Sequence, residues 1–137
     1  MEKLKVLIVD ESAFFRRLFR RLILAIPGIR IIGEADDPLV ALRFIRTTRP
    51  DAIIIDAKTE RRFGIDVLRH LQGPAPIPKV IMLTGDVYFR YRRDASRKAD
   101  FLLHKFTEYN RIPEILKRFT LGPAAGCESP GPGLYRA

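Results

Sequence analysis

Ala52-Ile53-Ile54-Ile55 is an unbroken apolar run, three of its four residues β-branched, and it stops at a carboxylate, Asp56. Pro50 and Asp51 bound it in front. A run of this length and branching suits a strand buried on both faces. Strands buried that way belong almost only to parallel sheets with helices on both sides. In open parallel sheets, ligands bind in the crevice outside the carboxyl ends of the strands. Asp56 would stand at that edge. Taken alone, such an acid is better explained as a strand end facing water, so its neighbours decide its meaning.

The same grammar repeats along the chain. Leu4–Val9 reads as a buried strand ending at Asp10-Glu11, and Ser12 is a good cap for the helix that follows. In that helix Phe14, Phe15, Leu18, Leu22 and Ala25 recur at helical spacing, with Arg16, Arg17, Arg20 and Arg21 on the other face. Pro27-Gly28 stops it, and Ile29–Glu34 is a second short strand. Asp36 or Asp37 before Pro38 opens a second helix, with Leu39, Leu42, Phe44 and Ile45 as its apolar side and Arg49-Pro50 as its end.

After the 51–56 strand, a polar loop from Lys58 to Phe63 leads to a short helix around Ile65–Leu71. Gly73–Pro78 is a connection, and Lys79–Leu83 a fourth strand that ends at Thr84-Gly85-Asp86. A basic segment, Tyr88–Lys98, has weak helical periodicity. Phe101–Leu103 is a fifth strand, ending at Lys105. Thr107 is expected to cap a last helix with Ile112, Ile115, Leu116 and Phe119 on one face, and Pro113 falls in its first turns. Five strand–helix repeats predict an α/β fold, a five-stranded parallel sheet doubly wound as (βα)5 with right-handed crossovers. Residues 1–120 form that domain; residues 121–137, rich in Pro and Gly, are expected to be a flexible tail without chemistry.

A chain of 137 residues suits one domain. No stretch approaches the roughly 20 apolar residues a membrane-spanning helix needs, and no signal peptide is expected before the first strand. The single cysteine, Cys127, lies in the tail, so neither a disulfide framework nor a cysteine metal cluster is expected. A soluble cytoplasmic protein is the expectation. The net charge of +9 points to nucleic acid, anionic lipid or acidic protein partners, or to a well-solvated surface.

The strand ends gather a coherent set: Asp10 with Glu11, Asp56, Thr84 and Lys105. Clustered carboxylates repel one another unless a cation sits among them. A hard divalent cation such as Mg²⁺, held by carboxylates, waters and a substrate phosphate, fits that set. No glycine-rich phosphate loop follows the first strand, which argues against nucleotide binding. A carboxylate beside a metal can instead act as a nucleophile and form an aspartyl phosphate. Asp56 fits that nucleophile, Lys105 a counter-ion for the phosphoryl oxygens, and Thr84 a hydroxyl that hydrogen-bonds them.

These pieces resemble the receiver domains of bacterial response regulators, which have the flavodoxin-like fold. The likeness runs through Val6–Ser12, Ala52–Asp56, Gly64–Leu68, Ile81–Gly85 and Ala99–Lys105, and covers residues 4 to about 119. The resemblance implies Asp56 as phosphoacceptor, Asp10, Glu11 and Asp56 as ligands of Mg²⁺ with the backbone carbonyl of Lys58, and Thr84 and Lys105 as the switch hydroxyl and lysine. It also implies a histidine kinase or phosphotransfer protein as partner and no enzymatic activity beyond the domain's own phosphoryl transfer and autodephosphorylation. With no effector domain expected after the last helix, output would pass through protein contacts or onward phosphotransfer.

The chain departs from the family in a loop after Asp56 that looks two residues longer than the commonest form, and at three single positions. Glu11 stands where the second acid is almost always Asp, Leu102 where Tyr or Phe is preferred, and Phe106 where proline usually follows the lysine. A non-proline cis bond costs about 2.5–4 kcal/mol, so a trans Lys105–Phe106 bond is expected. The arginines of the first helix form one cationic patch, which in the family commonly docks the phosphodonor. A second patch, Arg90, Arg92, Arg93, Arg97 and Lys98 among Tyr88, Phe89 and Tyr91, falls in the fourth helix, the usual output face. Together with the fifth strand and last helix, that face leaves room for a homodimer. His70 and His104 lack metal-ligand spacing and read as structural. Two other readings stay open: a degenerate receiver acting as a phosphorylation-independent interaction module, and a nucleic-acid binder using the Arg-rich faces.

Overall fold

The computed structural model describes residues 3–57, 64–71, 77–85 and 99–121. The strands are β1 (Leu4–Val9), β2 (Ile29–Ala35), β3 (Ala52–Asp56), β4 (Lys79–Thr84) and β5 (Phe101–His104). The helices are α1 (Ala13–Leu24), α2 (Pro38–Thr48), α3 (Gly64–Arg69) and α4 (Ile112–Thr120), the last preceded by a 3₁₀ turn over Tyr109–Arg111. All five strands pair in parallel, in the order β2-β1-β3-β4-β5. The expected (βα)5 sheet is therefore present, and β3 is its central strand. The basic segment 88–98, the Lys58–Phe63 loop and the tail lie outside the described residues.

Alternation along the strands sorts the core into two halves, one on each face. Val6, Ile8, Ala52, Ile54, Ile81, Leu83, Phe101 and Leu103 pack with Phe19 and Ile23 of α1 and Ile112, Ile115 and Leu116 of α4. Leu7, Val9, Ile53, Ile55, Val80, Met82 and Leu102 pack on the other side with Ala41 and Ile45 of α2 and Val67 of α3. Val6–Val9 and Ala52–Ile55 are no more than 1% exposed. Each such aliphatic side chain taken out of water is worth about 1.5–3 kcal/mol, so the central strands anchor the domain.

Chain order reverses between β1 and β3, since β2 lies on one side of β1 and β3 on the other. That switch point is where open α/β sheets form their ligand crevice. The register Val9↔Ile55 brings the ends of the two strands side by side, with Asp10 and Asp56 next in sequence.

The local signals behave as expected at most ends. Ser12 caps α1 by accepting from the Phe15 N–H, and Asp37 caps α2 with Pro38 behind it. Three expectations fail. The buried line of α1 is Phe19 and Ile23, continued by Ile26, while Phe14 is 68% exposed and Ala25 lies at the surface. Phe15, Leu18 and Leu22 pack against this line, as expected. In α2, Leu39 is exposed and Ala41 takes a core place, with Pro38 and Ile45 also buried on that helix. Thr107 caps nothing: α4 starts at Ile112 without a side-chain cap. Glu108 is the residue that organises this turn, accepting from the His104 N–H at 2.9 Å and pairing with Arg111 at 2.9 Å.

Arg49 closes α2 in the left-handed region, at φ 47° and ψ 68°. A side chain with a Cβ pays about 1–2 kcal/mol there, which glycine avoids. Arg49→Gly is expected to raise the unfolding free energy by about 1 kcal/mol, read from equilibrium urea denaturation. A lower midpoint in the variant would contradict this account of the helix end.

Candidate functional site

Strand alternation puts Asp10 in phase with Val6 and Ile8, Asp56 with Ala52 and Ile54, and Lys105 with Phe101 and Leu103. All three continue the rows that face α1 and α4. Asp10 is fully buried, Asp56 is 8% exposed and Lys105 is 7% exposed. Thr84, at the end of β4, is 9% exposed, and its carbonyl accepts the Lys105 N–H at 2.8 Å. That bond fixes where the lysine leaves the sheet.

The Lys105 ammonium stands between the two acids. Its Nζ donates to Asp56 Oδ2 at 2.9 Å and lies 2.8 Å from Asp10 Oδ2. The Asp10 contact is an ion pair off the hydrogen-bond direction, so the buried Oδ2 has no aligned donor. Asp10 Oδ1 accepts the Ser12 N–H at 2.8 Å, and the Asp10 N–H donates to the Ala35 carbonyl at 2.9 Å. Arg16 donates to the Asp10 carbonyl and pairs with Glu34, which also takes Arg20. The expected single arginine patch on α1 is thus divided: Arg16 and Arg20 turn to Glu34, and Arg17 and Arg21 face solvent.

Burial by itself lowers the Lys105 pKa, because it penalises the charged form. The contacts with Asp10 and Asp56 act the other way and prevail, so the ammonium holds its proton above the ordinary lysine value. The face of Phe15 adds a further contact, with Nζ 4.2 Å from the ring centroid.

Gly64 closes the site from below. Its N–H donates to the Ala57 carbonyl at 2.8 Å, and a Cβ at this position would sit 2.3 Å from the Asp56 carbonyl oxygen. Space, not a left-handed backbone, demands glycine here. The Ala57 N–H in turn donates to the Leu83 carbonyl at 2.7 Å, tying the residue after Asp56 to β4.

Glu11 is exposed, and among the described residues no three His, Cys, Asp or Glu side chains converge as a metal site. The lysine takes the central place between the two buried acids. Their chemistry nonetheless fits Mg²⁺: hard carboxylate oxygens, one of them buried without an aligned donor, already face a single cation. Mg²⁺ asks for only one or two protein carboxylates and keeps several waters. Residue 58, whose carbonyl the resemblance adds to the ligands, lies outside the described residues.

Leu102 is buried in the core beside Met82 and Ala99. The Lys105–Phe106 bond is trans, as expected, since no peptide among the described residues is cis. His104 accepts the Phe106 N–H at 3.3 Å through Nδ1, in keeping with a structural role. Phe15, Ser12 and Gly64 are site residues that sequence spacing missed as such. Ser12 was visible as a cap, and an acid two residues before a capping serine is the signal for its turn.

The family model of the response regulator receiver domain matches residues 6–117. The chain belongs to that family. This receiver is 39% identical over 84 residues to a protein-glutamate methylesterase/protein-glutamine glutaminase of Nitrosomonas europaea, covering 61% of the chain and 24% of that protein. It is 43% identical over 79 residues to a second protein of that description from Rhodospirillum rubrum, covering 58% and 22%. The match thus spans about a quarter of the length of these relatives. In structure it resembles the receiver domain of NarL from Mycobacterium tuberculosis, with a TM-score of 0.78, 22% identity and 89% and 99% of the two chains covered. It also resembles the response regulator domain of Thermotoga maritima CheB, with a TM-score of 0.71, 23% identity and coverage of 94% and 100%. The chain is therefore a receiver domain of two-component signalling, and no helix among its described residues is long and apolar enough to cross a membrane.

Because the folded Lys105 pKa lies above its unfolded value, the folded chain binds the proton more tightly. That stabilisation is complete below the unfolded value of about 10.4 and is lost as pH rises through the folded one. Wild type should therefore lose stability more steeply than Lys105→Met across this alkaline range, measured by denaturation at a series of pH values. Parallel slopes would refute the ion-pair account. Gly64→Ala should cost about 1–3 kcal/mol in the same assay, and an unchanged midpoint would show that the Asp56 backbone has room.

Proposed function

We propose that this receiver accepts a phosphoryl group on Asp56. The observation that carries the reading is one ammonium, Lys105 Nζ, held 2.9 Å from Asp56 and 2.8 Å from Asp10 at the carboxyl edge of the sheet. A carboxylate kept ionised beside a buried cation is a ready nucleophile. Its oxygen attacks phosphorus, a P–O bond forms, and the bond from phosphorus to the donor group breaks. Lys105 then turns to the new phosphoryl oxygens, whose added charge is about −1.5 to −2. Thr84, at the neighbouring strand end, supplies the hydroxyl that answers them. Asp10, Asp56 and Glu11, with the carbonyl of Lys58, would hold Mg²⁺, which when bound neutralises charge developing on the phosphoryl oxygens.

The phosphodonor in this reading is a histidine kinase or phosphotransfer protein of the cytoplasm, docking on α1. Exposed Phe14 at the start of α1, with Arg17 and Arg21 behind it, offers that donor an apolar contact with a basic flank. Residues 1–120 are taken as the receiver and 121–137 as a tail. Signal leaves by protein contact or by passing the phosphoryl group on.

A second reading has one observation in its favour. With Lys105 filling the place between the acids and Glu11 exposed, the domain could serve as an interaction module that is never phosphorylated. Incubation with Mg²⁺ and acetyl phosphate, followed by intact mass, separates the two. Wild type should gain one phosphoryl group, chelation of Mg²⁺ should prevent it, and Asp56→Asn should take none. No gain under conditions that label an ordinary receiver would favour the interaction module; label persisting in Asp56→Asn would overturn the site.

A further inference from the structure

We propose that Phe15 is a positioning residue for Lys105, and that Phe106 holds Phe15 in place to do it. The proposal rests on the reading of Asp56 as phosphoacceptor. A lysine ammonium is a compact charge on a flexible four-carbon stem. The two carboxylates draw it inward, and the ring of Phe15 gives it a third contact. Nζ lies 4.2 Å from the ring centroid, within the roughly 6 Å over which a cation is attracted by an aromatic face.

The ring is itself fixed from three sides. Phe19 packs at 5.8 Å between centroids, Phe14 stands edge-on at 5.4 Å, and Phe106 lies at 5.7 Å. Phe106 directly follows Lys105, so the chain leaves the lysine and at once supports the ring over it. Gly85 makes room for that arrangement: a Cβ there would come within 2.7 Å of Phe106 Cε2. Phe106 is still 56% exposed, so burying its own ring does not account for its place. What the ring gains is contact with Phe15 and His104.

The attraction of an aromatic face depends on the ring's quadrupole and tolerates small shifts of the cation. When Lys105 turns from the acids to a phosphoryl oxygen, Phe15 keeps it desolvated and within reach. An aliphatic side chain of similar volume would exclude water but would not hold the charge.

Replacing Phe15 by mono-, di- and trifluorinated phenylalanine weakens the ring face stepwise with little change of shape. With the full chain, Mg²⁺ and acetyl phosphate, the initial labelling rate should fall with each fluorine, reaching a loss on the order of threefold to tenfold. Phe15→Leu should lie at the bottom of that series and Phe15→Tyr near wild type. A rate that stays flat across the fluorinated series overturns the proposal. A second readout needs no phosphoryl group: the ε-methylene protons of Lys105 should be shifted upfield by the ring in wild type and Phe15→Tyr, and return to ordinary positions in Phe15→Leu. Lysine resonances that do not respond to Phe15→Leu also overturn it. Should wild type take no label at all, the phosphoacceptor reading falls, and the lysine resonances decide on their own whether the ring holds the ammonium.

Discussion

The ion pair of Lys105 with Asp10 and Asp56 is the interaction on which this receiver turns. Taking an isolated ion out of water costs several kcal/mol, and only close opposite charges offset it. Here each buried charge is the condition for the others. Asp10 and Asp56 stand at the ends of the neighbouring interior strands β1 and β3, while the lysine comes from the far side of β4, at the end of the edge strand β5. The ammonium therefore crosses the sheet edge above β4, and the Thr84 carbonyl that receives the Lys105 N–H fixes the crossing.

Around that cluster the chain uses means uncommon in its family. Phe106 replaces the usual proline after the lysine and packs through Phe15 back onto the ammonium. Leu102 takes the place where an aromatic switch residue is preferred and stays in the core with Met82. Aromatic character has not left the site, because it now stands over the lysine instead of three residues before it. Arg16 adds a second tie, joining the first turn of α1 to the Asp10 carbonyl and to Glu34 of β2.

Asp10, Asp56, Thr84 and Lys105 were legible because each ends an apolar run, and parallel strands bring such ends to one edge. That the sheet is parallel followed from strand–helix alternation; its order, β2-β1-β3-β4-β5, did not. Phe15 was legible only as an apolar helical residue; periodicity says which face it occupies, not which distant strand end that face meets. Phe14 misled because α1 is apolar on more than half of its turn, so the stripe that meets the sheet is a matter of packing. Thr107 misled for a different reason. A capping residue was expected, but Glu108 satisfies the His104 N–H and a 3₁₀ turn intervenes. Glu11, a metal ligand by the resemblance, is exposed beside the buried Asp10.

Asp10 and Asp56 follow directly on the register pair Val9↔Ile55. The separation of their backbones is thus inherited from the spacing of neighbouring strands, about 4.7–4.9 Å in any sheet. The ammonium between them depends on packing as well, because the buried Phe19 packs on the ring of Phe15 that faces it. A change at Phe19 therefore reaches the charge cluster, whereas the strand backbones set where the two acids begin.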